Sequence, residues 1–400
     1  MDSSRPTTSP SIEHYLAPIN PDIFGFHPTE TAVTLGSHID TYFDTFPGIP
    51  ESGIVLLGVG EDRGAENNAG CAKAPDEIRR CLYSLANPCE ETRITDLGNL
   101  IEGQTADDTY YALAEVAAEV LSHNNTIIVL GGSQDLTFAL YKAYANLNRI
   151  INISTIDARF DLENDDLITS RTWLRNIIMS NPNYLFFHSN IGYQTYFVGQ
   201  PYIQLMDDLK FDAYRLGEVQ HDMERAEALI RNADLLSVDL SAVRQSDAPA
   251  NGNPMPHGFY GEELCQMMRY AGMSDKTHCL GIFELNPLYD NRHQTANMTA
   301  QALWYFIEGF YNRKDDNPLI HPENCKHYIV RMEDEGTDIN FHKSKISDRW
   351  WMEVPCHNEQ LQILYTDQLM LPCTYSDYQQ AMRGELPQSW WRYYTRLNKQ

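Results

Sequence analysis

Thr126-Ile127-Ile128-Val129-Leu130-Gly131-Gly132 decides the fold. The apolar run has the length of a strand and no polar alternation, which suits a strand buried on both faces of a parallel sheet. Leu136 to Leu147 then reads as a helix, and Ile150 to Ile156 as the next strand. The same alternation extends both ways. Upstream, Ile54 to Val59 is a strand, Ala74-Pro75-Asp76-Glu77 starts a helix with proline in its first turn, and Thr109 to Leu121 is an amphipathic helix. Downstream come helix Arg171–Met179, strand Tyr184–Phe187, helix Met223–Arg231, strand Leu235–Leu240, helix Gly261–Tyr270, strand Cys279–Leu285 and helix Thr295–Tyr311. Repeated units of this kind predict an α/β fold, a three-layer α-β-α arrangement around a mainly parallel sheet, over residues 51–312. Residues 1–50 read as an N-terminal extension, and 313–400 as a C-terminal extension packed on the main domain.

A chain of 400 residues can bury a large core. Its net charge of −25 excludes a broad nucleic-acid or anionic-membrane surface, which would need basic clusters. No apolar run reaches the roughly 18 residues of a membrane span. Met1 to Pro10 is polar and lacks the pattern of a signal peptide, so the expected location is cytoplasmic. The eight cysteines form no CxxC and read as free thiols.

In sheets of this class, ligands sit beyond the carboxyl ends of the strands. Three polar segments fall there: Gly131-Gly132-Ser133-Gln134-Asp135, Asp157-Ala158-Arg159-Phe160-Asp161, and Ser237-Val238-Asp239-Leu240-Ser241 running on to Ala248-Pro249. They resemble the three signatures of the arginase/agmatinase/formimidoylglutamase (ureohydrolase) family, G-G-x-H-D/S, D-A-H-x-D and S-x-D-x-D-x-x-D-P-x-x-A-P-G. Further matches follow in order. Gly58-Val59-Gly60-Glu61-Asp62-Arg63-Gly64, Asp96-Leu97-Gly98-Asn99, and Glu284-Leu285-Asn286-Pro287 with Asp290 are each similar to a family block. The formimidoylglutamase-like branch is nearest.

The resemblance implies an arginase-like fold, an oligomer, and two manganese ions held by two imidazoles and four carboxylates. The metals would activate water for attack on a guanidinium or formimino carbon. Residue by residue, Asp157, Asp161 and Asp239 keep their carboxylates. Gln134 and Arg159 stand where the imidazoles would be, and Ser241 replaces the fourth carboxylate. Three carboxylates less one guanidinium leave a net −2, which balances one divalent ion. Two arrangements follow. In the first, Arg159 is a built-in cation that pairs with two of the aspartates. In the second, Asp157, Asp161, Asp239 and the Gln134 carbonyl hold a single hard ion such as Mn2+, Mg2+ or Ca2+. Glu284 sits where the family contacts the cationic nitrogen of its substrate, and it could equally be a strand-end acid paired with Arg159 or Arg244.

The expectation is an arginase-fold protein that has lost the dinuclear site, carries no cofactor and binds a small molecule or a protein partner. The alternative is a hydrolase of linear amidine or guanidine C–N bonds using at most one Mn2+ or Mg2+, with Asp157, Asp161, Asp239 and Glu284 as its working residues. His188, His221, His257 and His293 are too dispersed for a ligand set. The tryptophan pairs at 350–351 and 390–391 read as anchors of the C-terminal extension, or else as a partner surface.

Overall fold

A computed structural model describes residues 12–24, 33–89, 91, 93–332 and 337–398. Much of the predicted N-terminal extension (1–11 and 25–32) lies outside the described residues. The centre is a ten-stranded sheet of β1 (Leu16–Ala17), β2 (Ile39–Thr41), β3 (Ile54–Val59), β4 (Ile94–Leu100), β5 (Thr126–Leu130), β6 (Ile151–Ile156), β7 (Leu185–Tyr193), β8 (Asp212–Arg215), β9 (Leu235–Asp239) and β10 (Cys279–Phe283). The order is β1-β4-β3-β5-β10-β9-β6-β7-β8, with β2 also beside β4. All pairings are parallel except that of β1 with β4.

The helices of this part are α1 (Ala74–Tyr83), α2 (Ala106–Ser122), α3 (Leu136–Asn146), α4 (Trp173–Ile178), α5 (Gln200–Asp208), α6 (Leu216–His221), α7 (Met223–Arg231), α8 (Gly261–Gly272) and α9 (Gln294–Tyr311). Alternate residues of each central strand feed opposite cores. Val55, Leu57, Ile127, Val129 and Ile153 pack with α2 and α3. Ile54, Leu56, Ile128, Leu130 and Val238 pack with α1, α8 and α9. Both faces are therefore covered, which is why these strands lack polar alternation. The predicted three-layer fold is the one observed.

Where sequence and structure differ, polar residues are the reason. β7 runs to Tyr193 rather than Phe187, because Ser189 and Asn190 are buried within it. β4 carries Asp96 at full burial, made tolerable by Arg79, whose Nε and Nη2 donate to its carboxylate at 2.8 Å each.

Beyond α9 the chain forms a four-stranded antiparallel sheet of β11 (Cys325–Met332), β12 (Thr337–Ser344), β13 (Trp350–Glu353) and β14 (Met370–Cys373), in that order. Helices α10 (Glu359–Leu364), α11 (Tyr375–Met382) and α12 (Gln388–Asn398) accompany it. Val330, Phe341, Trp350, Met352, Trp390 and Tyr393 continue the core on the α2–α3 side of the main sheet. Trp351 is buried under the Arg231 guanidinium, 4.4 Å from the ring centroid. No helix among the described residues is long and apolar enough to cross a membrane. None of the eight cysteines is in a disulfide.

Candidate active site

β5, β10, β9 and β6 are consecutive neighbours in the sheet. Their carboxyl ends therefore release Gly131–Gln134, Glu284, Asp239 and Asp157 side by side. The turn after β5 depends on two glycines in the left-handed region, Gly131 (φ 83°) and Gly132 (φ 76°). A Cβ on Gly132 would lie 2.6 Å from the Glu61 carbonyl oxygen, so only glycine fits. The turn aims the Gln134 N–H at Glu284 Oε1, 2.9 Å away. Two of the site's acids also sit at positive φ, Asp161 (52°) and Glu284 (70°). Backbone strain of this sort costs about 1–3 kcal/mol each and persists only where the surroundings enforce it.

Asp157, Asp161 and Glu284 are buried, and Asp239 is partly buried. Each has a distinct set of donors. Asp157 Oδ1 accepts from the Arg159 N–H at 2.7 Å, while Oδ2 is buried without a partner. Trp173 Nε1 donates to Asp161 Oδ2 at 2.9 Å. Ser241 donates to both oxygens of Asp239, from its N–H at 2.6 Å and its hydroxyl at 2.7 Å. Asn68 Nδ2 donates to Glu284 Oε2 at 2.7 Å. Gln134 turns its Nε2 toward the Ser237 hydroxyl, at 3.4 Å, and leaves Oε1 buried and unpartnered.

Among the described residues none of these four carboxylates forms an ion pair. Their affinities for protons rise accordingly. Burial lifts Asp157. Burial, then the charges of Asp157 and Asp239, lift Asp161 well above the carboxylate range. Asp239 is pushed up to about 7 by burial and by Asp157. Glu284 is pushed up to about 8 by burial and by Asp239. Beside them Asp135, buried under the Tyr110 hydroxyl at 2.5 Å, is raised to about 6 by burial. Such a cluster stays partly protonated unless a cation joins it.

The structure corrects the first arrangement for Arg159. Its guanidinium makes no ion pair with the aspartates; it lies over the Phe197 ring, 4.3 Å from the centroid. The physical reason is local. The Arg159 backbone N–H already caps Asp157, and the side chain leaves the strand end toward the rim, where an aromatic face receives it. Arg244 is likewise occupied elsewhere, paired with Asp247 at 2.9 Å and stacked on Tyr260. Glu284 is paired with neither arginine.

The donor set fits one hard divalent ion better than two. Asp157 Oδ2 and Gln134 Oε1 are orphaned oxygen acceptors of the type such ions take. Against this, Ser241 donates to both oxygens of Asp239. Asn68 and Trp173 were not foreseen as site residues. Asn68 joins three segments, since its amide also donates to the Glu284 carbonyl and accepts from the Gly252 N–H. Beside the loop after β7, a cleft of about 490 Å³ is lined by Gln194, Tyr196, Arg215, Arg244 and His257 among others. The Gln194 N–H bonds to the Ala158 carbonyl, so the cleft adjoins the Asp157–Asp161 segment.

Comparison with known proteins agrees with this fold. The model of the arginase family matches residues 52–308. A formimidoylglutamase from Staphylococcus haemolyticus is 26% identical over 272 residues, covering 64% of this chain and 86% of that protein. One from Staphylococcus epidermidis is 28% identical over the same length and coverage. Among solved structures, formimidoylglutamase from Bacillus subtilis superposes with a TM-score of 0.63 at 20% identity, covering 71% of this chain and 94% of that one. Formiminoglutamase from Trypanosoma cruzi, solved with Mn2+, gives 0.60 at 21% identity, covering 67% and 97%. The family model takes in the whole of the parallel sheet from β3 to β10 and every carboxylate of the cluster, and the chain is a member of the arginase family.

Proposed function

We propose that the chain hydrolyses the C–N bond of a linear amidine carried on an acidic amino acid, as a formimidoylglutamase does, with at most one divalent ion in the site. The carrying observation is the cluster of Asp157, Asp161, Asp239 and Glu284 without a counter-cation, with two orphaned oxygen acceptors facing it. Such a cluster attracts either a metal or a cationic amidinium. Asp157, Asp161, Asp239 and the Gln134 carbonyl would hold the ion, and Mn2+ is the metal in the related T. cruzi structure. A bound ion of this class lowers the pKa of water.

The protein's own groups supply the rest. Glu284 faces the amidine nitrogen. Arg159 has no acid partner and lies on Phe197 next to the cleft, where it can receive a substrate carboxylate; Arg215 and Arg244 line the same cleft. Water adds to the amidine carbon, the bond to the amino-acid nitrogen breaks, and that nitrogen leaves as the amine while the carbon departs as formamide.

A second reading is a catalytically silent binding protein. The double donation of Ser241 to Asp239 favours it, because one lone pair on each oxygen is already taken. The deciding experiment is formamide release from formimidoylglutamate by protein purified from its natural host, with metal content per chain measured on the same sample. Turnover with about one ion per chain, abolished in Asp161→Asn, supports the hydrolase. Folded, metal-loaded protein that is stabilised by the substrate yet releases no formamide supports the binding protein instead.

A further inference from the structure

A second concentration of ligating side chains lies outside the family-matched segment, on the C-terminal sheet. In the β11–β12 ladder His327 stands opposite His342, and in the β12–β13 ladder His342 stands opposite Trp351. Residues directly across an antiparallel ladder share a face, as do residues two apart along a strand. His327, His342 and Glu353 therefore project from one face. One donor atom from each lies within 4.8 Å of the other two. The imidazole centroids are 4.9 Å apart with planes tilted by 31°.

The polar bonding of this cluster is incomplete. His342 Nε2 is buried without a hydrogen-bond partner, and the Glu353 carboxylate is 3.8 Å away, beyond hydrogen-bond reach. A buried ring nitrogen facing a second imidazole and a carboxylate is unfavourable unless something joins them. Asn340 Nδ2 donates to Glu353 Oε2 at 2.9 Å and orients that carboxylate, as outer-shell partners do for metal ligands. The opposite face is rigid: Tyr328, Trp350 and Tyr378 stack there, with Tyr328 and Trp350 centroids 5.4 Å apart. Ligand spacing is thus set by two ladders and a packed core rather than by a loop.

We propose that His327, His342 and Glu353 form a transition-metal site of the zinc class on the C-terminal sheet. Two imidazoles and one carboxylate select Zn2+ or Co2+ over Mg2+ and Ca2+. Three protein ligands leave a fourth position for water or an external ligand. The site differs in donor type from the all-oxygen cluster under β5–β10–β9–β6, so the two can be told apart by the metal they prefer.

The test uses the full chain, stripped with chelator, saturated with Mn2+ and titrated with Co2+. The expected result is a visible Co2+ absorption of four- or five-coordinate type that saturates at about one ion per chain and is bleached by Zn2+. It should be lost in His327→Ala and in His342→Ala, weakened at least about tenfold in affinity in Glu353→Gln, and kept in Asp157→Asn. Absence of the band in the wild type, or its survival in the double histidine variant, overturns the proposal. A measurement without variants guards against misfolding: bound Zn2+ should protect both histidines from diethyl pyrocarbonate, and undiminished modification of the two would equally overturn it.

Discussion

At the scale of single residues, the replaced ligands define what the site can hold. Gln134, Arg159 and Ser241 remove two nitrogen donors and one charge from the pattern the family resemblance implies. Restoring them together, as Gln134→His, Arg159→His and Ser241→Asp, should raise bound Mn2+ from about one ion per chain to about two, read by elemental analysis. Unchanged stoichiometry in a folded variant would mean that the neighbouring backbone, and not these side chains, limits the site. His188 gives a pH prediction away from the cluster. It is fully buried edge-on to Trp173 and Phe211, and burial drops it to about 3, offset only in part by the Ile153 backbone. The unfolded chain takes up this proton below about 6.5 and the native chain does not. Stability from His188 is therefore full above that pH and is lost as pH falls toward 3, with a slope approaching about 1.4 kcal/mol per pH unit. Urea unfolding of wild type and His188→Leu at pH 7.5 and 5 should show the variant losing less on acidification. Equal losses would place a hydrogen-bonded or solvated imidazole there.

At the scale of elements, the legibility of the site follows from where its residues sit. β5, β6, β9 and β10 read as strands because burial on both faces leaves uninterrupted apolar runs, and three site segments follow their ends. The segments bearing Asp157, Asp161 and Asp239 could be brought together from that alone, whereas Glu284 was singled out by the family resemblance. The direction of the Arg159 side chain could not, since a strand end fixes a Cα and not the aromatic ring that will receive a guanidinium. Asn68 carried no sequence signal, because its side-chain partners Gly252, Glu284 and Asn286 come from segments up to 218 positions away. β11 escaped detection because exposed Ile329 breaks the alternation of half-buried Tyr328 and buried Val330 and Met332 with polar residues. The glycine turn after β5 offers an element-scale test. Gly132→Ala places a Cβ against the Glu61 backbone in the left-handed region, so neither rotamer change nor a small shift relieves it. It should cost upwards of about 1–3 kcal/mol in thermal or urea unfolding and weaken Mn2+ binding with it, because Gln134 moves with the turn. Loss of stability with metal affinity intact would separate the turn from the site.

At the scale of the molecule, the C-terminal segment is fastened to the parallel sheet through a buried polar node as well as through a shared core. Asn152, in β6, donates through Nδ2 to Gln368 Oε1 and approaches the Tyr393 hydroxyl, each at 2.7 Å, and also donates to Asn232 Oδ1 at 3.1 Å. These groups are buried together, so each needs the others in place. Deleting residues 313–400 would strip Asn152 and Asn232 of partners, uncover the Arg231 guanidinium now under Trp351, and expose the α12 face that holds Trp390 and Tyr393. The truncated chain should aggregate or unfold well below the full one, though it retains every residue matched by the arginase family model. A milder probe separates core from node. Tyr393→Phe keeps the ring packed on Phe186 and Phe187 and removes only the hydroxyl, which should cost about 1–3 kcal/mol, the expense of leaving a buried amide short of a partner. If Tyr393→Phe is neutral while the truncation still collapses, apolar contact alone attaches the segment. If both destabilise, the polar node sets the register in which the C-terminal sheet docks, and with it the position of the His327–His342–Glu353 face relative to the active-site end of the parallel sheet.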